Sequence, residues 1–261
     1  MSKVVIAEGK DIVKRTYLAL KELKPKMPKK GEKILIKPNL VEPMPNYSGA
    51  ITRKEVIEGI IQFFDDKNYE ILIGEGAAIF DTEECFEKAN YYELEEKYNV
   101  KLVNLNKDEF IAVKGKYWDF EISKIAKESY LISAAVLKEH AFKVTLSLKN
   151  LMGILKPKGS YPVKSYIHKE NDEKIWAERL CDLIRVAKPK LAIIDATTAM
   201  LGSHLYGRLK SLNLTLASED ALACDLVGTK LLGYEKVFYL DLALKEKLGR
   251  KPSEVKEIKL I

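Results

Sequence analysis

The chain has 261 residues, 47% apolar and 31% charged, with 44 basic against 38 acidic side chains and a formal net charge of +6. That length and balance exclude a disulfide-stapled miniature domain and a wholly disordered chain; they predict one α/β unit over residues 1–261, with two interleaved lobes as the alternative. No stretch reaches the roughly 18 uninterrupted apolar residues of a membrane span, and Met1-Ser2-Lys3-Val4-Val5 lacks a signal peptide's apolar region, so a cytoplasmic protein with no membrane partner is expected.

Short β-branched runs alternate with longer amphipathic stretches, the pattern of a mostly parallel sheet flanked by helices. Strands are predicted at Val4–Ala7, Lys33–Lys37, Glu70–Gly74, Lys101–Asn104, Ser129–Ala134, Leu191–Asp195 and Asn213–Ala217. Asp11–Leu23 carries an apolar stripe at Ile12, Tyr17, Leu18, Leu20 and Leu23, as a helix lying on a sheet would. Capping-box spacing at Thr52 and Glu55, and at Asp81 and Glu84, sets helices near Arg53–Asp65 and Thr82–Lys97. Phe110–Ile122 alternates around Lys114-Gly115-Lys116 and reads as an inserted β-hairpin. Glu42–Ala50 and Lys156–His168 have loop composition; loops this long in a compact domain commonly bind a ligand, and the second is expected to cover the site.

Ligands of open α/β sheets bind beyond the carboxyl ends of the strands. The polar residues that follow the apolar runs are Lys37 and Asn39, then Glu75 and Gly76, then Lys138 and His140, then Asp195, and finally Ser218, Glu219 and Asp220. If these strands are parallel neighbours, their tips form one polar crevice. Gly74-Glu75-Gly76 has the look of a phosphate-binding turn, although Ile79 stands where G-x-G-x-x-G needs glycine. Thr145, Ser147 and Lys149 alternate with Val144, Leu146 and Leu148, as on an extended segment with one polar face. His140, Lys149, Lys156, Lys158, Lys164 and His168 crowd into roughly thirty residues, a basic density suited to a carboxylate or phosphate, with histidine available for proton transfer.

The leading expectation is an enzyme, or the catalytic subunit of one, acting on a small anionic metabolite by proton-transfer or redox-linked chemistry. His140, His168 and Lys149 form the candidate catalytic set; Lys37, Asn39, Glu75, Gly76, Lys138 and Asn150 are the candidate substrate-binding residues. Asp195 and Asp220 are candidate ligands for a divalent metal, without H-x-H or H-x-x-x-H spacing nearby. The alternative is a non-catalytic module holding a nucleotide, a cofactor or RNA, although the basic residues lack the aromatic interleaving of an RNA-binding motif. Cys85, Cys181 and Cys224 form no C-x-x-C pair, so no iron–sulfur cluster is expected on this chain.

The order of motifs resembles the family catalogued as domain of unknown function 362, found in bacteria and archaea. The resemblance rests on I-K-P-N-L at 36–40, I-G-E-G-A at 73–77, L-K-E-H followed by V-T-L-S-L-K-N-L-M-G within 137–153, His168, I-I-D-A at 193–196 and L-A-S-E-D-A-L-A-C-D at 216–225. Many members carry ferredoxin-like cysteine motifs, which implies electron transfer and a redox partner protein; this chain lacks those motifs. It also departs at Leu201–Gly207, where the family often shows a Gly-Pro-rich turn.

Overall fold

Ile34–Lys37 reads I-L-I-K and Ile71–Glu75 reads I-L-I-G-E, and every residue of both runs is buried. Such unbroken burial belongs to central strands of a parallel sheet covered on both faces. The computed structural model describes residues 1–65 and 69–260, and of residues 169–171 the backbone alone. In chain order the elements are β1 (Ser2–Glu8), α1 (Ile12–Leu23), β2 (Ile34–Lys37), α2 (Lys54–Asp65), β3 (Ile71–Glu75), α3 (Thr82–Lys88), α4 (Tyr92–Lys97), β4 (Val100–Asn104), β5 (Phe110–Lys114) and β6 (Asp119–Ser123). There follow α5 (Lys124–Glu128), β7 (Tyr130–His140), β8 (Lys143–Thr145), α6 (Ser147–Asn150), α7 (Glu173–Ala187), β9 (Leu191–Leu201), β10 (Arg208–Ser218), α8 (Ala221–Leu231), α9 (Phe238–Lys245) and β11 (Val255–Leu260).

Nine strands form one sheet in the order β11-β1-β10-β9-β7-β2-β3-β4, with β8 antiparallel beside β7. The β1–β10 and β10–β9 pairings are antiparallel, while β11–β1, β9–β7, β7–β2, β2–β3 and β3–β4 are parallel. This is the expected α/β architecture, and the hairpin β5–β6 stands apart as a two-stranded sheet. Two apolar clusters lie on the two faces: one gathers Leu35, Leu131, Trp176 and Ile194, the other Ile34, Ile60, Ile132 and Ile193. α1 and α2 pack closely because Gly59 has no side chain; a Cβ there would stand 2.6 Å from the Val13 carbonyl oxygen. Among the described residues, no helix is long and apolar enough to cross a membrane.

Several local expectations are corrected. Thr52 does not cap α2: its hydroxyl donates to the Ala134 carbonyl at 2.7 Å and accepts from Asn39 N–H at 2.9 Å. Asp195 accepts from Arg53 N–H and Asn46 from Lys54 N–H instead, at 3.2 and 2.7 Å. The helix expected over Thr82–Lys97 breaks between α3 and α4, where Asn90 takes a φ of +60° and the buried Tyr91 hydroxyl donates to the Thr52 carbonyl. The segment from Val144 to Lys149 is not extended throughout: β8 ends at Thr145 and the chain turns into α6. Finally, β10 runs antiparallel to β9, pairing Thr215 with Asp195 and Ser218 with Ala192. Ser218, Glu219 and Asp220 therefore lie toward the amino end of β9, away from the tips of the parallel strands.

Candidate functional site

At the carboxyl ends of β2, β3 and β7 the tip residues converge on a cavity of about 230 Å³. Lys37, Asn39, Glu75, Gly76, Lys138, His140, Lys149, Asn150 and His168 all line it, so every candidate catalytic and substrate-binding residue borders one space. At its base Lys37, 1% exposed, donates to Glu75 Oε1 at 2.6 Å, to Asn150 Oδ1 at 3.0 Å and to the Pro38 carbonyl at 3.0 Å. All three ammonium protons are thereby used. Glu75 also accepts from Leu40 N–H at 2.9 Å and Gly76 N–H at 2.8 Å, while Asn150 Nδ2 donates to the Lys37 carbonyl and to Ser133 Oγ, each at 3.1 Å. This ion pair is a rigid floor: burial lowers the Lys37 pKa, and the Glu75 charge opposes that shift. Glycine at 76 keeps the floor open, since a Cβ there would stand 2.7 Å from Lys164 Nζ.

Three further lysines surround the cavity. Lys138, on β7 and 1% exposed, donates to the Ala50 carbonyl at 2.5 Å; Lys164, 2% exposed, donates to the Gly153 carbonyl at 2.6 Å. Lys149 is half-buried on α6 and lines the same space. Burial pushes Lys138 and Lys164 down to about 7 and Lys149 to about 8, because a desolvated ammonium without a counter-charge is unfavourable. Among the described residues, Glu75 is the single carboxylate in the cavity lining, and Lys37 already pairs with it.

Three histidines, His140, His168 and His204, also line the cavity, and aromatic rings back them. His140 and His204 have ring centroids 4.7 Å apart, Phe142 follows 5.9 Å from His140, and His168 stacks on Trp176 at 5.9 Å. Burial, then the neighbouring lysine charges, push His140 down to about 2 and His204 to about 4; burial, Lys149 and His204 bring His168 to about 4. All three rings are therefore neutral near pH 7. His140 Nδ1 accepts from Phe142 N–H at 3.2 Å, which places the ring proton on Nε2 as a neutral donor.

Asp195 and Asp220 do not share a site. Asp195, fully buried, accepts from Arg53 Nη1 at 3.1 Å and from Thr197 N–H at 2.9 Å, with Arg15 Nη2 at 3.8 Å. Asp220 caps α8 through Ala223 N–H at 3.0 Å and accepts from Ser2 Oγ and Arg250 N–H, each at 2.9 Å. Among the described residues, no three His, Cys, Asp or Glu side chains stand close enough together to hold a metal ion. The three cysteines are free and buried. The loop Lys156–His168 is tied to the site's edge: Val163 N–H donates to the Ala78 carbonyl at 2.8 Å, and Lys164 lines the cavity.

Three contributors stand outside the candidate catalytic, substrate-binding and metal sets. Lys164 lay within the basic run, His204 within the Leu201–Gly207 turn, and Asp225 inside an apolar helix. Asp225 is fully buried and accepts from Ser147 N–H and Leu148 N–H, each at 2.9 Å, and from Ser147 Oγ. It thus fixes the start of α6, which carries Lys149 and Asn150. An Asp in an apolar run, with a burial cost to offset, was the available signal.

A model of the family described as Domain of unknown function (DUF362) matches residues 34–230. The chain belongs to this family. The matched span contains every residue of the cavity lining, from Lys37 to His204. The chain is also similar to a thylakoid-associated protein of Synechocystis sp. (strain ATCC 27184 / PCC 6803 / Kazusa), with 26% identity over 230 residues that cover 86% of this chain and 70% of the relative.

Proposed function

We propose that the chain is a cytoplasmic enzyme that acts on a small dianionic metabolite, seated between Lys138 and Lys164 with Lys149 beside it. One observation supports this reading above all: four lysines border a small cavity whose single lining carboxylate among the described residues is already paired. Burying amines without counter-charges costs stability, and an anionic ligand offsets that cost. Enzyme rather than passive binder is favoured by amines near neutrality, which can give or take a proton at cellular pH.

Thermal melts with 2-hydroxyglutarate, lactate and citrate test the reading. The dianion 2-hydroxyglutarate is expected to give a saturable rise in Tm, reaching about 2.7 kcal/mol of stabilisation at a hundredfold excess over Kd. If none of the three anions gives a saturable rise, the reading fails. A rise that disappears steeply with added salt and is matched by single-stranded RNA would favour the non-catalytic binding module instead.

A further inference from the structure

Lys149 differs from the other pocket lysines in one respect. Lys37 uses all its protons on Glu75, Asn150 and Pro38, while Lys138 and Lys164 are each anchored to a backbone carbonyl. Among the described residues, Lys149 has no hydrogen-bond or ion-pair partner, although it lines the same cavity. Its backbone is held by α6, whose first two N–H groups are bound by Asp225. An unengaged amine on a fixed stem, lining one cavity with two anchored amines, is the arrangement of a nucleophile beside a charge clamp.

We infer that Lys149 is an amine nucleophile and that the pocket takes small 2-oxo dicarboxylates, holding their carbonyl carbon as an imine on Lys149 Nζ. The inference rests on the anion-binding reading and adds the ligand class and the bond. Two carboxylates match the two ammonium groups of Lys138 and Lys164, which leaves Lys149 free of a charge-pairing duty. Burial supports the role, since it brings Lys149 down to about 8 and leaves a large share of the amine unprotonated at neutral pH.

The step balances within the pocket. The Nζ lone pair adds to the carbonyl carbon, the C=O π pair moves to oxygen, and that oxygen receives the proton lost by nitrogen, giving a carbinolamine. The nitrogen lone pair then expels the hydroxyl as water, with a proton from the Lys138 ammonium, whose charge is coupled to that of Lys149. The resulting iminium nitrogen gives up its remaining proton, which restores the Lys138 ammonium and leaves the neutral imine. The sum is one amine and one carbonyl converted to one imine and one water, with no oxidant or reductant.

The test treats the full chain with 2-oxoglutarate and sodium cyanoborohydride, whose hydride reduces the imine to a stable secondary amine. Intact mass is expected to rise by the mass of the oxo acid less one oxygen atom, and peptide mapping to place the change on Lys149. Near pH 8 an amine brought down to about 8 is roughly half neutral, so labelling there should exceed that of an ordinary surface lysine by about a hundredfold. Excess 2-hydroxyglutarate should block it, and Lys149→Arg should abolish it. If that variant fails to fold, mapping of the wild-type adduct still decides the residue. Should 2-oxoglutarate raise Tm yet leave no adduct on Lys149, or label lysines indiscriminately, the imine is refuted and the anion reading stands. Should neither dicarboxylate bind, both fall together.

Discussion

Binding of a dianion should draw protons from solvent, in an amount set by Lys138 and Lys164. Both are pushed down to about 7 in the unliganded pocket, so near pH 8 each carries roughly 0.1 proton. A carboxylate placed against each ammonium opposes the burial penalty and returns the pair toward the ordinary lysine range. The complex then takes up about 0.9 proton per lysine, or about 1.8 in total, whereas near pH 6 the uptake falls to about 0.2. A ligand such as 2-hydroxyglutarate is fully ionised over this range and contributes no protons of its own. Isothermal titration in Tris and in triethanolamine, amine buffers that do not compete for a cationic pocket, reads the uptake as the slope of observed enthalpy against buffer ionisation enthalpy. Over the same range affinity should weaken from about pH 6 to about pH 9 by on the order of 10³–10⁴-fold, the product of two lysine titrations. A slope near zero at pH 8, with affinity flat in pH, would show that the ligand meets amines already charged and would refute the electrostatic account.

Three substitutions separate floor, support and scaffold. Lys37→Met leaves the buried Glu75 without its cation and should cost about 3–5 kcal/mol in urea unfolding, much of which Lys37→Met with Glu75→Gln should recover. Asp225→Asn bears on pH dependence. Burial raises Asp225 to about 7, so the folded state holds its proton above the ordinary aspartate range, and its share of stability, full below about pH 4, is lost as pH rises through 7. The variant should erase that decline, about 1.4 kcal/mol per pH unit at its steepest, as read by melts from acid to neutral pH; an unchanged profile would remove Asp225 as its source. Asp220→Ala removes the α8 cap and should cost about 1 kcal/mol while leaving the affinity for 2-hydroxyglutarate unchanged, whereas weakened binding would return Asp220 to the site.

The parallel strands, the hairpin and the tip residues Lys37, Glu75 and Lys138 were legible because a buried parallel strand writes itself as an apolar run followed by polar residues. The same rule misled at β10. An antiparallel strand has the same local pattern, and its direction is set by a nonlocal pairing, Thr215 with Asp195, that no single segment encodes. The end of β7 was misread as well. Lys138 and His140 look like loop residues, yet β7 continues through them because their backbones pair with β8, Lys138 opposite Thr145 and His140 opposite Lys143. His204 was invisible for the opposite reason, since nothing in the sequence says that the turn before β10 folds back against His140.

If the cavity takes a dianion, as proposed, its empty and occupied states call for different protonation, and the surrounding residues fit that alternation. Three lysines held charged in one cavity would repel one another, and among the described residues the cavity lining offers no further carboxylate to compensate them. Desolvation instead brings the three amines toward neutrality. The histidines follow the same logic. At about 2 to 4 they add no positive charge to the site, so the His140 ring presents a neutral Nε2–H rather than an imidazolium. His140→Gln retains a neutral donor of similar reach. It should therefore preserve much of the dianion affinity and the flat response of binding below about pH 6. A His140 that had to be protonated to bind the ligand would instead give a wild-type affinity that climbs as pH falls through the ordinary histidine range, and Gln would abolish that climb. Titrating both proteins with 2-hydroxyglutarate between about pH 5 and pH 7 distinguishes the two cases, and a climb confined to the wild type would overturn the neutral-donor assignment.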